Sequence, residues 1–190
     1  MKLDRILPFA RNLLRLAVTE GDYAVDATIG NGHDTTMLAE LVGETGQVFG
    51  FDIQQEAIEQ TTARLKDQEL YERVCLFHKS HNQLLTMIPD EVHGKIAGAI
   101  FNLGYLPGGN KEIVTKPDST IEAIEQLLTI MKVEGIIVLV IYHGHKEGAV
   151  ERDRLMEYCT NLDQNQAHVL MYRFMNQKNN PPFIIAIEKR

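Results

Sequence analysis

Apolar residues recur along this chain at two spacings, the three-to-four-residue step of a helix and the short unbroken run of a buried strand. Ile6, Leu13, Leu14 and Ala17 predict a loosely amphipathic opening helix that Gly21 ends. Tyr23 to Ala27 reads as a strand, followed by a glycine turn and a helix to about Val42. Residues 43–46 form a loop, and Gln47 to Asp52 is a second strand. A helix over about 55–66 carries Ile58, Thr62 and Leu65 on one face. Residues 74–77 are a third strand running out into the polar cluster His78-Lys-Ser-His-Asn82, with a short helix after it. Residues 96–101, almost wholly apolar, form a fourth strand expected to be central and covered on both faces. The loop Asn102 to Asn110 follows, then a capping box from Ser119 to Glu122 starts a periodic helix through Ile121, Ile124, Leu128 and Met131. Residues 136–141 are the fifth strand, 147–160 a helix, and 168–174 and 183–188 two final strands around a polar loop.

Strands separated by helices imply right-handed crossovers and a parallel sheet. The last two strands lack an intervening helix, so they should form an antiparallel hairpin at one edge. The expectation is one α/β domain over residues 1–190, a seven-stranded, mostly parallel sheet with helices on both faces. Ligands of such sheets sit beyond the C-terminal strand ends at the switch point, where each polar cluster falls.

The stretch Tyr23-Ala-Val-Asp-Ala-Thr-Ile-Gly-Asn-Gly-His-Asp-Thr35 joins strand, turn and helix start. Gly30 and Gly32 permit positive φ and bare main chain against a ligand, and Asp34 and Thr35 are placed to cap the next helix. A dinucleotide fold wants a third glycine where Thr35 stands, which weakens an NAD reading. Asp52 ends the second strand about twenty residues later, where an acid accepts both hydroxyls of a ribose. Together the turn and the acid point to adenosine, although either alone also suits a tight turn or a solvated strand end.

The net charge of −7 argues against broad, nonspecific adhesion to nucleic acid. A local basic face remains in Lys2, Arg5, Arg11 and Arg15, the last two at i, i+4 spacing, and serves equally as a solvated helix face or an RNA-facing one. No apolar run approaches membrane-spanning length, and the opening residues lack a secretion signal's apolar core, so a cytoplasmic protein away from membranes is expected. Cys75 and Cys159 read as buried thiols, and His143-x-His145 lacks companion ligands, so no metal is expected.

The residues Lys2-Leu-Asp-Arg-Ile-Leu-Pro8, Asp26-Ala-Thr-Ile-Gly-Asn-Gly-His-Asp-Thr35, Gly50-Phe-Asp-Ile-Gln54, Phe101-Asn-Leu-Gly-Tyr-Leu-Pro-Gly108, Tyr142-His-Gly-His145 and Asn179-Asn-Pro-Pro182 carry a resemblance. Over essentially its whole length the chain resembles Rossmann-like class I methyltransferases dependent on S-adenosyl-L-methionine. Within them it is similar to a small bacterial family long labelled rRNA methylase, whose members resemble the enzyme that methylates 5-(aminomethyl)-2-thiouridine at the tRNA wobble position. The resemblance implies that Asp26, Thr28, Gly30, Asn31, Gly32, His33 and Asp34 meet the methionine end of the cofactor. Asp52 and Gln54 would take its ribose, and Ser80 and His81 its adenine, although the acid many relatives carry there is missing. Asn102 stands where amino-methylating relatives carry N-P-P-Y or D-P-P-Y; here the run is Asn-Leu-Gly-Tyr.

Asn102 is therefore the candidate for orienting an amine nucleophile beside the cofactor, and His143 or His145 for taking its proton or gripping RNA. Tyr142 and Tyr105 are the rings available to stack on a splayed base, and Arg11, Arg15 and Lys111 the charges for phosphates. Tyr142, His143 and His145 also suit simple strand-end caps, and His33 suits shaping the turn. The leading reading is N-methylation of the wobble aminomethyl group in a tRNA anticodon loop, performed by a homodimer that widens a small footprint. An rRNA or small-molecule amine methyltransferase, or a noncatalytic cofactor-binding module, are the alternatives.

Overall fold

In the computed structural model, which describes residues 2–104, 115–144 and 146–190, the sheet grows outward from a short central strand. That strand, β1 (Tyr23–Asp26), pairs in parallel with β2 (Gln47–Asp52), and β2 with β3 (Val74–His78). On its other side β1 pairs in parallel with β4 (Ile96–Leu103), and β4 with β5 (Met131–Ile141). Two antiparallel strands complete the order β3-β2-β1-β4-β5-β7-β6: β7 (Phe183–Lys189) lies against β5, and β6 (Ala167–Tyr172) forms the edge. The chain progresses one way from β1 to β3 and the other way from β4, so the strand order reverses between β1 and β4. A crevice is expected at their C-terminal ends.

Alternation along each strand sends side chains to two separate cores. Val25, Phe49, Phe101, Leu139 and Ile141 pack with α4 (Leu84–Met87), α5 (Pro117–Ile130) and α6 (Lys146–Thr160). Ala24, Val48, Ile100, Val138 and Val140 pack against α1 (Ile6–Ala17), α2 (His33–Val42) and α3 (Gln55–Asp67). β4 is buried along nearly its whole length, as its unbroken apolar run requires. Among the described residues no helix is long and apolar enough to cross a membrane.

Two local expectations fail for identifiable reasons. The capping box does not form. α5 begins at Pro117, whose missing N–H costs nothing in a first turn. Ser119 donates back to the Lys116 carbonyl, and Asn82 donates to Glu122 from outside the helix. Second, β5 begins at Met131, a residue whose periodicity placed it on the helix. Between the pairs Ile96–Met131 and Gly98–Ile136, β5 advances five residues while β4 advances two. Glu134 takes a left-handed φ of 64° there, and a Cβ on Gly135 would sit 2.9 Å from the Lys132 carbonyl. The polar residues of this bulge hid the strand's first half.

Candidate active site

A cleft of about 950 Å³ opens across the C-terminal ends of the strands around the β1–β4 reversal. Its floor is the turn after β1. Gly30 and Gly32 have φ of 53° and 74°, the left-handed conformation expected of them. At Gly32 the lack of a side chain also serves packing: a Cβ would lie 2.5 Å from the Thr61 hydroxyl of α3. Asp52 closes the turn from the neighbouring strand, one carboxylate oxygen accepting the Gly30 N–H at 2.9 Å and the other the Gln54 N–H at 2.9 Å. Asp52, Gln54, Thr28, Gly30, Asn31 and His33 all line the cleft.

Asp26 and Gly32 are not in the wall. Asp26 is fully buried behind it, accepting the Thr35 hydroxyl at 2.6 Å and the Thr28 N–H at 3.2 Å. Burial, reinforced by the nearby charge of Asp34, pushes its carboxyl up to about 7. Its place in the structure is therefore beneath the glycine turn, behind the cleft wall.

Asp34 and Thr35 do not cap α2. The N-cap position is Gly32, without a side-chain cap, and both polar side chains reach elsewhere. Asp34, 8% exposed, accepts Arg11 Nε at 2.8 Å on one oxygen and the Asn102 side-chain amide at 2.9 Å on the other. Because the Asn102 nitrogen is given to a carboxylate, its carbonyl oxygen is the group left over. Among the described residues that oxygen has no partner, and Asn102 lines the cleft. The Asn102 main-chain N–H donates to the Thr28 hydroxyl at 2.7 Å, which locks the end of β4 to the end of β1.

Tyr142, 37% exposed, lines the cleft, and its partial burial, together with Asp34, holds its hydroxyl in the neutral form. His143 is different. It is 5% exposed, and Arg152 donates to its Nδ1 at 3.3 Å. Its Nε2 therefore carries the proton and donates to the Pro181 carbonyl at 3.0 Å. Both nitrogens are committed, and burial with the adjacent guanidinium groups lowers its pKa. It is a neutral strut between the end of β5 and the loop before β7, with both ring nitrogens engaged rather than open to a substrate proton. His81 lines the cleft but binds the Ala27 carbonyl through Nδ1 at 3.1 Å, leaving Nε2 buried without a partner among the described residues, and burial drives its pKa down to about 4. Ser80 lies beside it in the wall.

Arg11 reaches the cleft, but Arg15 does not: it points to Asn12 on an exposed part of α1. A shared helix face was too coarse a guide, because one helical turn separates the cleft rim from solvent. Tyr105, Lys111 and His145 lie outside the described residues. The cleft also gathers Leu7, Lys79, Thr115, Lys116, Ser119 and Asn180. Asn180 belongs to the Asn-Asn-Pro-Pro run and Lys79 to the polar cluster after β3, so both had a signal; Leu7, an ordinary apolar helix residue, had none. Glu151, buried on α6, accepts the hydroxyls of Thr115 and Thr120 and so pins one rim of the cleft to the helix layer.

Comparison with known proteins supports this geometry. A crystal structure described as a putative rRNA methylase from Clostridium thermocellum superposes with a TM-score of 0.96 at 40% identity, covering 100% of both chains. A Streptococcus mutans protein described as a putative methyltransferase, solved with S-adenosylhomocysteine, matches with a TM-score of 0.89 at 31% identity over 99% of each chain. The architecture is the Rossmann-like class I methyltransferase fold, as expected. A chloroplastic tRNA (mnm(5)s(2)U34)-methyltransferase of Arabidopsis thaliana is 33% identical over 181 residues, which are 90% of this chain; the chain spans 65% of that protein's length. A family profile described as "Putative rRNA methylase" matches residues 48–188. With that match over most of its length, the chain belongs to the rRNA methylase family.

Proposed function

We propose that this protein is an S-adenosyl-L-methionine-dependent methyltransferase that N-methylates the aminomethyl group of 5-aminomethyl-2-thiouridine at the wobble position of tRNA. The residues present fit the cofactor. The cleft volume is at the upper end of ligand sites, about 300–1,000 Å³. Asp52 and Gln54 would hold the ribose hydroxyls, and the turn from Thr28 to Asn31, with the free N–H groups of the first turn of α2, would hold the amino-acid end. When bound, the cofactor supplies a methyl group on a sulfonium.

The observation that carries the reading is the open carbonyl oxygen of Asn102, fixed as an acceptor by Asp34. An alkylamine is protonated at neutral pH and reacts only as the free base, so a neutral acceptor for its N–H orients the lone pair without favouring the charged form as a carboxylate would. Alignment is the main demand of such a displacement, and a side chain locked through two neighbours meets it. His143 takes no part in the proton's departure. Tyr142, presenting a partly exposed ring at the next strand end, suits stacking against a base splayed from a single-stranded loop. The Arabidopsis relative, named for this wobble methylation, supports the choice of substrate. The proposal extends to a homodimer, in which two copies give so small a chain a larger RNA footprint.

Mass spectrometry of tRNA nucleosides from a deletion strain tests the substrate. Accumulation of 5-aminomethyl-2-thiouridine is expected. An unchanged tRNA profile would reject it and direct the search to rRNA, the substrate in the family's description.

A further inference from the structure

The basic residues that the sequence offered for RNA are mostly spent or misplaced, since Arg11 is paired with Asp34 and Arg15 lies off the cleft. A second cavity, of about 240 Å³, holds two others. It is lined by Arg152 and Asp153 of α6, Arg173 just beyond β6, and Phe183 at the start of β7. His143 lines it as well as the main cleft, so the two cavities share this residue in their walls.

The charges in this cavity do not balance. Arg152 places Nε and Nη2 on Asp153 at 2.8 and 2.7 Å, and its Nη1 on His143 at 3.3 Å. That nitrogen is an acceptor, so the imidazole is neutral and contributes no charge of its own. Arg173 has no carboxylate within ion-pair distance among the described residues; its guanidinium lies 5.9 Å from the centre of the Phe183 ring. Two cations and one anion leave a net positive charge, and the surplus sits on Arg173. Burial is the main cause of the lowered pKa of His143, and both guanidinium groups add to it. A planar fork with five donors, steadied over an aromatic face beside an open cavity, is shaped for an oxyanion.

Resting on the reading of the main cleft as an RNA site, we propose that Arg173, with Arg152 behind it, binds a backbone phosphate of the RNA flanking the methylated nucleotide. The base would enter the main cleft past Tyr142 while the phosphodiester stays outside His143. His143 then stands in the walls of both a neutral, base-accepting compartment and a cationic, phosphate-accepting one. Its two hydrogen bonds fix the distance between them.

The test is fluorescence-anisotropy binding of a tRNA anticodon stem-loop to the full-length protein across a salt series, with calorimetric titration of S-adenosylhomocysteine alongside. Arg173 is exposed, so its replacement should leave the fold intact. Arg173→Ala should weaken RNA binding roughly tenfold or more at low salt. It should also reduce the slope of log affinity against log salt by about 1. Arg173→Lys should recover the slope, and affinity for S-adenosylhomocysteine should stay at the wild-type value. An unchanged slope and RNA affinity in Arg173→Ala would overturn the phosphate site while leaving the methyltransferase reading intact. Arginine-dependent RNA binding without methylation of the wobble nucleoside would do the reverse, upholding the phosphate site and rejecting the substrate. A wild-type protein that binds no stem-loop would reject both.

Discussion

Replacing Asp34 by Asn changes a single atom of a buried side chain and should reverse the polarity of Asn102. In the wild type both Asp34 oxygens accept, one from Arg11 and one from Asn102, at 2.8 and 2.9 Å. An asparagine has only one acceptor oxygen. The Arg11 Nε can only donate, so that oxygen must face the arginine and the new NH2 group must face Asn102. Asn102 then has to turn its own amide, accepting with the oxygen that now serves the cleft and presenting an NH2 group in its place. A donor would stand where the amine nucleophile needs an acceptor. The amine nitrogen becomes cationic as the methyl is transferred, and losing a hydrogen bond to a charged group costs about 1.5–3 kcal/mol. Expressed only in the reacting complex, that is a fall in kcat of roughly 10- to 150-fold. The assay is steady-state methylation of tRNA bearing the aminomethyl nucleoside, with S-adenosylhomocysteine affinity measured in parallel. The expected signature is depressed kcat at saturating tRNA with cofactor affinity within a few-fold of wild type. Turnover within twofold of wild type would refute the polarity argument. Collapse of cofactor affinity instead would make Asp34 a direct contact to the cofactor.

The remaining predictions concern the frame. Asp26, near 3.8 when unfolded and about 7 when folded, contributes stability that is fully present below pH 4 and is lost as pH rises to 7. His81, lowered from 6.5 to about 4, contributes stability that is present above pH 6.5 and is lost on acidification, so the two oppose each other in one window. Asp26→Asn should therefore make the urea midpoint fall more steeply with acidification than in wild type; parallel pH profiles would contradict this. Asp52→Ala should weaken S-adenosylhomocysteine binding by on the order of 1–3 kcal/mol and lower the melting temperature, because the Gly30 and Gln54 N–H groups lose their acceptor. Calorimetry and thermal melting read the two effects separately, and an unchanged affinity would move the ribose elsewhere. Gly32→Ala should destabilise the fold by about 1–3 kcal/mol, combining left-handed strain with the clash at Thr61, and a wild-type melting temperature would show that α3 yields freely. Tyr142→Ala should raise KM for tRNA by the equivalent of ~1–3 kcal/mol of stacking without altering cofactor affinity. Loss of cofactor binding there would assign the ring to the cofactor.

What could be read from the chain was what short stretches decide on their own. The glycine turn, the acid at the end of β2 and the buried run of β4 each follow from residues a few positions apart, and those elements lie where expected. Pairings between distant side chains were not legible. Asp34 is an ordinary first-turn acid by local pattern, yet its partners stand 23 and 68 residues away. His143 looked chemically available because its occupants are a main-chain carbonyl at Pro181, which no side-chain pattern encodes, and an arginine one element later. The first half of β5 escaped for another reason: its bulge inserts polar residues into the run, breaking the very periodicity that identifies a strand. Ser119 matched a capping pattern, but Pro117 two residues earlier had already set the start of the helix.

The opening helix depends on the far end of the chain. Phe9 stacks on Tyr172 with ring centres 3.9 Å apart, and the Tyr172 hydroxyl donates to the Asp4 carbonyl at 2.8 Å. The same helix supplies Leu7 and Arg11 to the cleft, which Asn180 also lines. During synthesis on a ribosome, the turn between β1 and α2 completes its hydrogen bonds only once β4 has emerged, because its partners include Asp52, Thr61 and Arg64 of α3, and Asn102. The wall built by α1 has to wait for residues some 160 positions later. A nascent chain would thus complete the glycine turn with β4, before the contacts that hold α1 over the cleft exist, and those contacts arrive with β6. A chaperone acting on this protein would meet α1 as an amphipathic segment with its apolar side uncovered, so the apolar face of α1 is where co-translational quality control would be expected to engage.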